Sequence, residues 1–264
     1  MSVTREITLA ALREAVTGVE RGGSRRSVDL FQLGLPTLDA ALGGGLACGA
    51  LHEIYARRMP DAAAAAAFAI GLALRAANGG QIVWVRQDFV DVETGALYGD
   101  GLAALGLDPQ RLLVVRARDP TGVLRAAAEA ARCPPLGAAL VEVWGEPKIL
   151  DPKASRRLTL AAGASGVTLV MIRLGASPSP SAATSRWSVA AAASTPLEAN
   201  APGRPAFDAA LLRHRAGLGP RAWRLEWDRD RASFATAPLS RFVVPVLAGG
   251  PVAAGGDAPW RRAG

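Results

Sequence analysis

Apolar positions recur along this chain with two different periods, and each change of period marks an element. Leu9, Leu12, Val16 and Val19 step by three and four, the spacing of one face of an amphipathic helix over residues 8–20. Arg21-Gly22-Gly23-Ser24-Arg25-Arg26 breaks that pattern and reads as a basic linker. A helix set ahead of a core must bury its stripe, either on its own domain or on a partner or neighbouring copy.

From Leu30 onward, short apolar runs alternate with helical ones. Thr37 is placed to cap a short helix reaching Leu42 and stopped by Gly43-Gly44-Gly45. Residues 51–55 predict a strand. Asp61 then precedes, as a cap, a helix over residues 62–77 that is apolar nearly all round and closed by Asn78-Gly79-Gly80. Such a helix should be sandwiched between layers. Buried strands are predicted at 82–85 and 112–115 and further strands at 138–144 and 167–174, with helices at 121–132 and 152–162 between them. Continuously apolar strands separated by helices indicate an α/β fold, a mostly parallel sheet with helices on both faces. After a Pro/Ser/Ala loop at 175–183 the order changes. Segments 186–192, 209–215 and 223–228 read as strands joined by turns, adding antiparallel strands at the C-terminal edge. Three parts result: an N-terminal helix and linker (1–27), an α/β core (28–235), and a Pro/Gly/Ala-rich tail (236–264) that carries the aromatic-basic cluster Trp260-Arg261-Arg262.

Half of the 264 residues are apolar, enough for one substantial core. No run of about eighteen residues is apolar without a charge, which argues against a membrane span. The net charge of +7 suggests a polyanionic partner such as DNA. The signal is weak, because Lys148 and Lys153 are the only lysines and the Arg, Ala, Gly and Pro skew is what codon bias in a GC-rich genome gives. Two distant cysteines, Cys48 and Cys133, fit a reducing cytoplasm, and two histidines, His52 and His214, leave little material for a metal site or a triad. No metal and no cofactor is expected.

The candidate chemistry follows the strand at 51–55. A phosphate-binding loop needs glycines whose backbone N–H groups cradle phosphate, a Lys that reaches the terminal phosphates, and a Ser or Thr that holds Mg²⁺. The corresponding stretch here is Ala56-Arg57-Arg58-Met59-Pro60-Asp61-Ala62-Ala63. Ala62 stands at the Lys position, Ala63 at the hydroxyl position, and Asp61 places an anion where another anion would bind. A site so altered should bind nucleotide poorly.

The spacing of Leu38, Asp39, Leu42, Gly43, Gly45, Leu46, Gly49, Glu53, Ile54 and Tyr55 resembles the entry of the RecA ATPase core, and the element order through Phe234 is similar to that core. The resemblance implies that Asp88 falls on the catalytic acid, that Arg86 replaces an aspartate, and that Glu142 takes the place of the metal-associated Walker B aspartate. It puts Arg173 at the nucleotide-sensing glutamine, loop 175–183 at the second DNA-binding loop, and 145–151 at a shortened first one. A buried Glu142 without its metal needs another partner, which Arg86 or Arg173 could supply.

A RecA-like chain of this length without a P-loop looks like the ImuA family. That resemblance implies a non-catalytic adaptor in SOS-induced translesion synthesis and mutagenesis. Its implied partners are an ImuB-like polymerase paralogue, with RecA, the error-prone C-family polymerase and weakly held DNA as further candidates. Two other implied readings stand beside it: an active DNA-dependent ATPase with a rearranged site, and a SulA-like division inhibitor. The candidate DNA or partner contacts are Arg173, Arg186, Trp187, Arg213, Arg215, Trp223 and Trp227. Each has a plain alternative. Arg57 and Arg58 read as a phosphate contact or a solvated loop pair. Trp187, Trp223 and Trp227 read as contact residues or as the core face of their strands.

Overall fold

Strands that must be buried on both faces sort their side chains by parity, and this chain does so. The computed structural model describes residues 29–196, 198, 201 and 203–237. The expectations for the N-terminal helix, the linker and the tail beyond 237 lie outside these residues. Along β6 (Leu136–Trp144), Ala138 and Leu140 join one core cluster, while Ala139, Val141 and Val143 join another across the sheet. Strand β4 (Gln81–Gln87) divides likewise, Ile82 and Trp84 against Val83 and Val85, as does β7 (Thr168–Leu174).

In chain order the elements begin with a short hairpin, β1 (Leu30–Phe31) and β2 (Leu46–Ala47), enclosing α1 (Pro36–Ala41). Next come β3 (Leu51–Ala56), a 3₁₀ turn (Met59–Asp61), α2 (Ala62–Ala77), β4, α3 (Asp88–Thr94) and α4 (Gly99–Ala104). Then follow β5 (Leu112–Ala117), α5 (Pro120–Ala130), β6, α6 (Pro152–Ser165), β7, β8 (Ser185–Ala191), β9 (Ala206–His214), β10 (Arg221–Asp228) and β11 (Ser233–Thr236). Nine strands form one sheet in the order β11-β10-β9-β8-β3-β7-β6-β4-β5. Those from β8 to β5 are parallel, and β9, β10 and β11 close the edge antiparallel.

Helix α2 crosses one face, with Ala65, Phe68, Ala69, Leu72 and Ala73 fully buried. With its preceding turn it is long and apolar enough to cross a membrane by composition, yet over half of it lies inside the fold. Gly71 makes this approach possible, since a Cβ there would sit 2.7 Å from the Phe234 ring. Helices α5 and α6 cover the other face.

Three local expectations are corrected and five elements are added. Thr37 does not cap α1: Leu35 occupies the cap position without a side-chain bond, and Pro36 begins the helix. Asp61 sits at the cap position of α2, but its carboxylate does not bond the helix N–H groups. Strand β5 is not buried. It ends the sheet with one neighbour, leaving Leu113 62% and Val114 41% exposed. Helices α3 and α4 and strands β1, β2 and β11 lack a strong period and were not anticipated.

Candidate functional site

The turn after β3 does not have the shape of a phosphate cradle. A cradle needs successive N–H groups converging, usually through a glycine at positive φ. No residue from 56 to 61 has positive φ, and Pro60 has no N–H. Arg58 is extended, at φ −145° and ψ 167°. The Arg57 N–H donates to the Val189 carbonyl at 2.8 Å and the Asp61 N–H to the Arg58 carbonyl at 3.0 Å, so these donors are spent within the fold. The Asp61 carboxylate is buried and accepts from the Ala191 N–H at 3.0 Å and Arg58 Nε at 3.4 Å. It fastens the turn to the end of β8. Ala62 is buried and Ala63 exposed, and Ala56 completes the strand.

Register brings the remaining acids together. Arg86 on β4 lies opposite Glu142 on β6 and Arg116 on β5. Arg86 Nε donates to Glu142 at 2.5 Å, with Arg86 5% and Glu142 2% exposed. The rest of the guanidinium holds Asp91, the Gly95 carbonyl at 3.1 Å and Thr94 Oγ1 at 3.1 Å. Arg116 then reaches Asp91 at 2.6 Å and the part-exposed Asp88 at 3.2 Å. The cation that Glu142 needs is therefore Arg86. Burial pushes the Glu142 carboxyl up from its ordinary value, while Arg86 and the nearby Trp84 indole N–H pull it down and Asp91 adds to the rise. The Trp84 Nε1–H approaches Glu142 without a bond of ordinary geometry. Beside this network lies a cleft of about 410 Å³ between α2 and α4, walled by Ala62, Ala63, Ala66, Tyr98 and Leu102. The turn, the ionic network and this cleft lie together at one end of the sheet.

Arg173 is buried elsewhere. Its guanidinium lies 5.4 Å from the Tyr55 ring centre, donates to Tyr55 Oη at 3.3 Å and the Gly145 carbonyl at 3.2 Å, and leaves Nε without a partner among the described residues.

Half of the remaining candidate contacts are structural. Arg186 is 8% exposed and donates to the buried Glu53 at 3.0 Å and to Ser181 Oγ at 2.7 Å, anchoring loop 175–183. Trp187 is wholly buried, and Trp227 is 1% exposed with its indole N–H on the Leu105 carbonyl at 2.8 Å. Trp223 is half-buried, 5.8 Å from the Trp187 ring. Arg173, Arg186, Trp187 and Trp227 thus leave the set of free contacts, because each fills the core or ties a loop. Arg57, Arg58, Arg213 and Arg215 stay at the surface. Loop 175–183 carries no basic side chain, and its Ser177 N–H donates to Glu146 at 2.8 Å in loop 145–151.

Sequence reading missed a basic groove of about 300 Å³ between α5 and α6, lined by Arg125, Arg132 and Arg157. Lys153 and Arg156 are exposed on the same helix as Arg157. Helical spacing could have grouped the α6 residues, but only the packing of α5 against α6 brings in the other two. Among the described residues no group of three His, Cys, Asp or Glu side chains gathers as a metal site.

The strand order and the helices on both faces of the sheet define an α/β protein with a recombinase fold of the RecA type. The crystal structure of the RadB recombinase shares the fold, with a TM-score of 0.51 and 14% identity, over 79% of this chain and all of that one. No protein-family model matches. Protein ImuA of Caulobacter vibrioides, in strains NA1000 / CB15N and CB 15, is 34% identical over 224 residues, covering 79% of this chain and 82% of the relative. The chain belongs to the ImuA family.

Proposed function

We propose that this protein is a non-catalytic adaptor of the ImuA type, working in the cytoplasm in SOS-induced translesion synthesis and mutagenesis. It binds an ImuB-like polymerase paralogue, with RecA, the error-prone C-family polymerase and DNA as further partners of the same assembly. One observation supports the reading: the buried Arg86–Glu142 pair gives a fixed protein cation to Glu142, the residue that the resemblance sets at the metal-associated acid. A carboxylate neutralised in this way has no need of Mg²⁺, and the turn above it offers no cradle for triphosphate. The scaffold remains and the means of hydrolysis does not, which favours binding over catalysis. The α5–α6 groove suits DNA better than loop 175–183, which has no basic side chain, since phosphate contacts require cations and Arg125 and Arg157 have no ion-pair partner among the described residues.

Calorimetric titration with ATP and Mg²⁺, with and without single-stranded DNA, tests the first half. No binding heat and no phosphate release are expected, and DNA-stimulated hydrolysis would end the adaptor reading. Co-purification with the polymerase paralogue tests the second half. Retention of neither that protein nor RecA would remove the proposed partners.

A further inference from the structure

At the end of the sheet away from the degenerate turn lies a groove of about 800 Å³, larger than the cleft beside it. Its wall is more apolar than polar, with Leu30, Ala47, Ala50 and Leu218 beside Thr159, Thr184 and Arg215, and Leu30 is 45% exposed. His214 Nε2 in the same wall is shielded from solvent and has no hydrogen-bond partner among the described residues. An open, mostly apolar groove of this kind calls for an apolar occupant.

The chain itself points to one. Asp29 lies on the rim, held by the Cys48 N–H to its carbonyl at 2.7 Å, and Leu30 pairs with Ala47. Residues 1–28 therefore start at the groove's edge. They contain the Leu9, Leu12, Val16 and Val19 stripe, whose helical length is roughly 16 Å. The linker 21–28 reaches at most about 29 Å when extended, enough to let that helix double back. A tether this short sets an effective concentration on the order of millimolar, which favours the chain's own segment over a separate molecule. The other end of the described chain, Ala237, is bonded to the Arg224 carbonyl on the antiparallel edge and does not line the groove.

We propose that residues 8–20 dock in this groove of their own core as an amphipathic helix, with Leu9, Leu12, Val16 and Val19 against its apolar residues. Docking is intramolecular and needs neither nucleotide nor partner, so it stands or falls separately from the adaptor function.

Cys48 lines the groove half-buried, and the second thiol, Cys133, is exposed. Burial and then Asp29 push the Cys48 thiol up, so alkylation is read at alkaline pH. In the full chain carrying Cys133→Ser, iodoacetamide should modify Cys48 about tenfold more slowly than in the same chain with Leu12→Asp and Val16→Asp added. Equal rates would overturn the proposal. Protection that grows with protein concentration would assign the groove to a second copy and overturn it as well. A second variant, Val16→Cys with Cys133→Ser, changes no residue that lines the groove. On mild oxidation it should form an intrachain disulfide to Cys48, and interchain dimers or free thiols would refute docking within one chain.

Discussion

Removing the Arg86 guanidinium is the sharpest test of the reasoning about the filled site. Arg86→Met keeps the bulk and deletes the charge, leaving Glu142, 2% exposed, without a cation. Losing one member of a buried pair costs about 3–5 kcal/mol, most of it the penalty of the stranded partner. Burial already raises the Glu142 carboxyl, and both of Arg86's opposing effects disappear in the variant, so it rises further. A carboxyl raised in the folded state binds its proton more tightly there than in the unfolded chain. The variant should therefore be least stable at alkaline pH and recover as pH falls toward the unfolded carboxyl value. Urea midpoints at about pH 8 and about pH 5.5 would show a deficit that shrinks on acidification. In Arg86→Met with Glu142→Met no charge is stranded, while Asp91 keeps Arg116 at 2.6 Å. Stability should return to within about 1 kcal/mol of the native chain. A single-variant cost below about 0.5 kcal/mol, or a cost independent of pH, would refute this account of the pair. So would a native midpoint that climbs with added Mg²⁺, since that would show the acid still able to take a metal.

Four other outcomes are expected. His52 is fully buried, donating from Nε2 to the Ala47 carbonyl at 2.9 Å and accepting at Nδ1 from Ser185 at 2.7 Å, and burial lowers its pKa from 6.5 to about 4. The folded state resists its protonation, so about 3 kcal/mol should be lost as pH falls across that window, and His52→Gln should flatten the dependence of urea midpoints. Ala62→Lys with Ala63→Thr should not create ATP binding, because the turn lacks positive φ and Arg86 stays in place; a thermal shift with ATP and Mg²⁺ would contradict this. Gly137→Ala sets a Cβ 2.6 Å from Ala77 Cα, backbone that cannot swing aside, and should cost about 1–3 kcal/mol by chemical denaturation. Arg125→Ser with Arg157→Ser should weaken any single-stranded DNA binding and lower its salt slope by about 1.4, measured by fluorescence anisotropy; an unchanged slope would move the DNA surface elsewhere.

The candidate site was legible in part. Ala62, Ala63 and Asp61 could be placed by counting from Glu53-Ile54-Tyr55, because a phosphate loop is contiguous and its chemistry is local. The need of Glu142 for a cation was also legible, since a central strand buries whatever it carries. Which arginine answers that need was not, because it depends on β4 lying beside β6 and on Arg86 falling opposite Glu142. Trp187 and Arg186 were ambiguous for the same reason. Strand alternation says that neighbours point to opposite faces, but not which face is covered.

The chain by itself determined the alternation of strands and helices, the parallel core with an antiparallel edge, and a turn after the first core strand with neither Lys nor Ser or Thr, all properties of near neighbours along the backbone. Tertiary structure alone decided that Arg86 takes Glu142, that Arg186 ties down its own loop, that β5 lies at the exposed edge, and that two helices assemble a basic groove. Those outcomes depend on which strands and helices come to lie side by side. Residues far apart in sequence meet only once register and packing are set, and no local period encodes that distance.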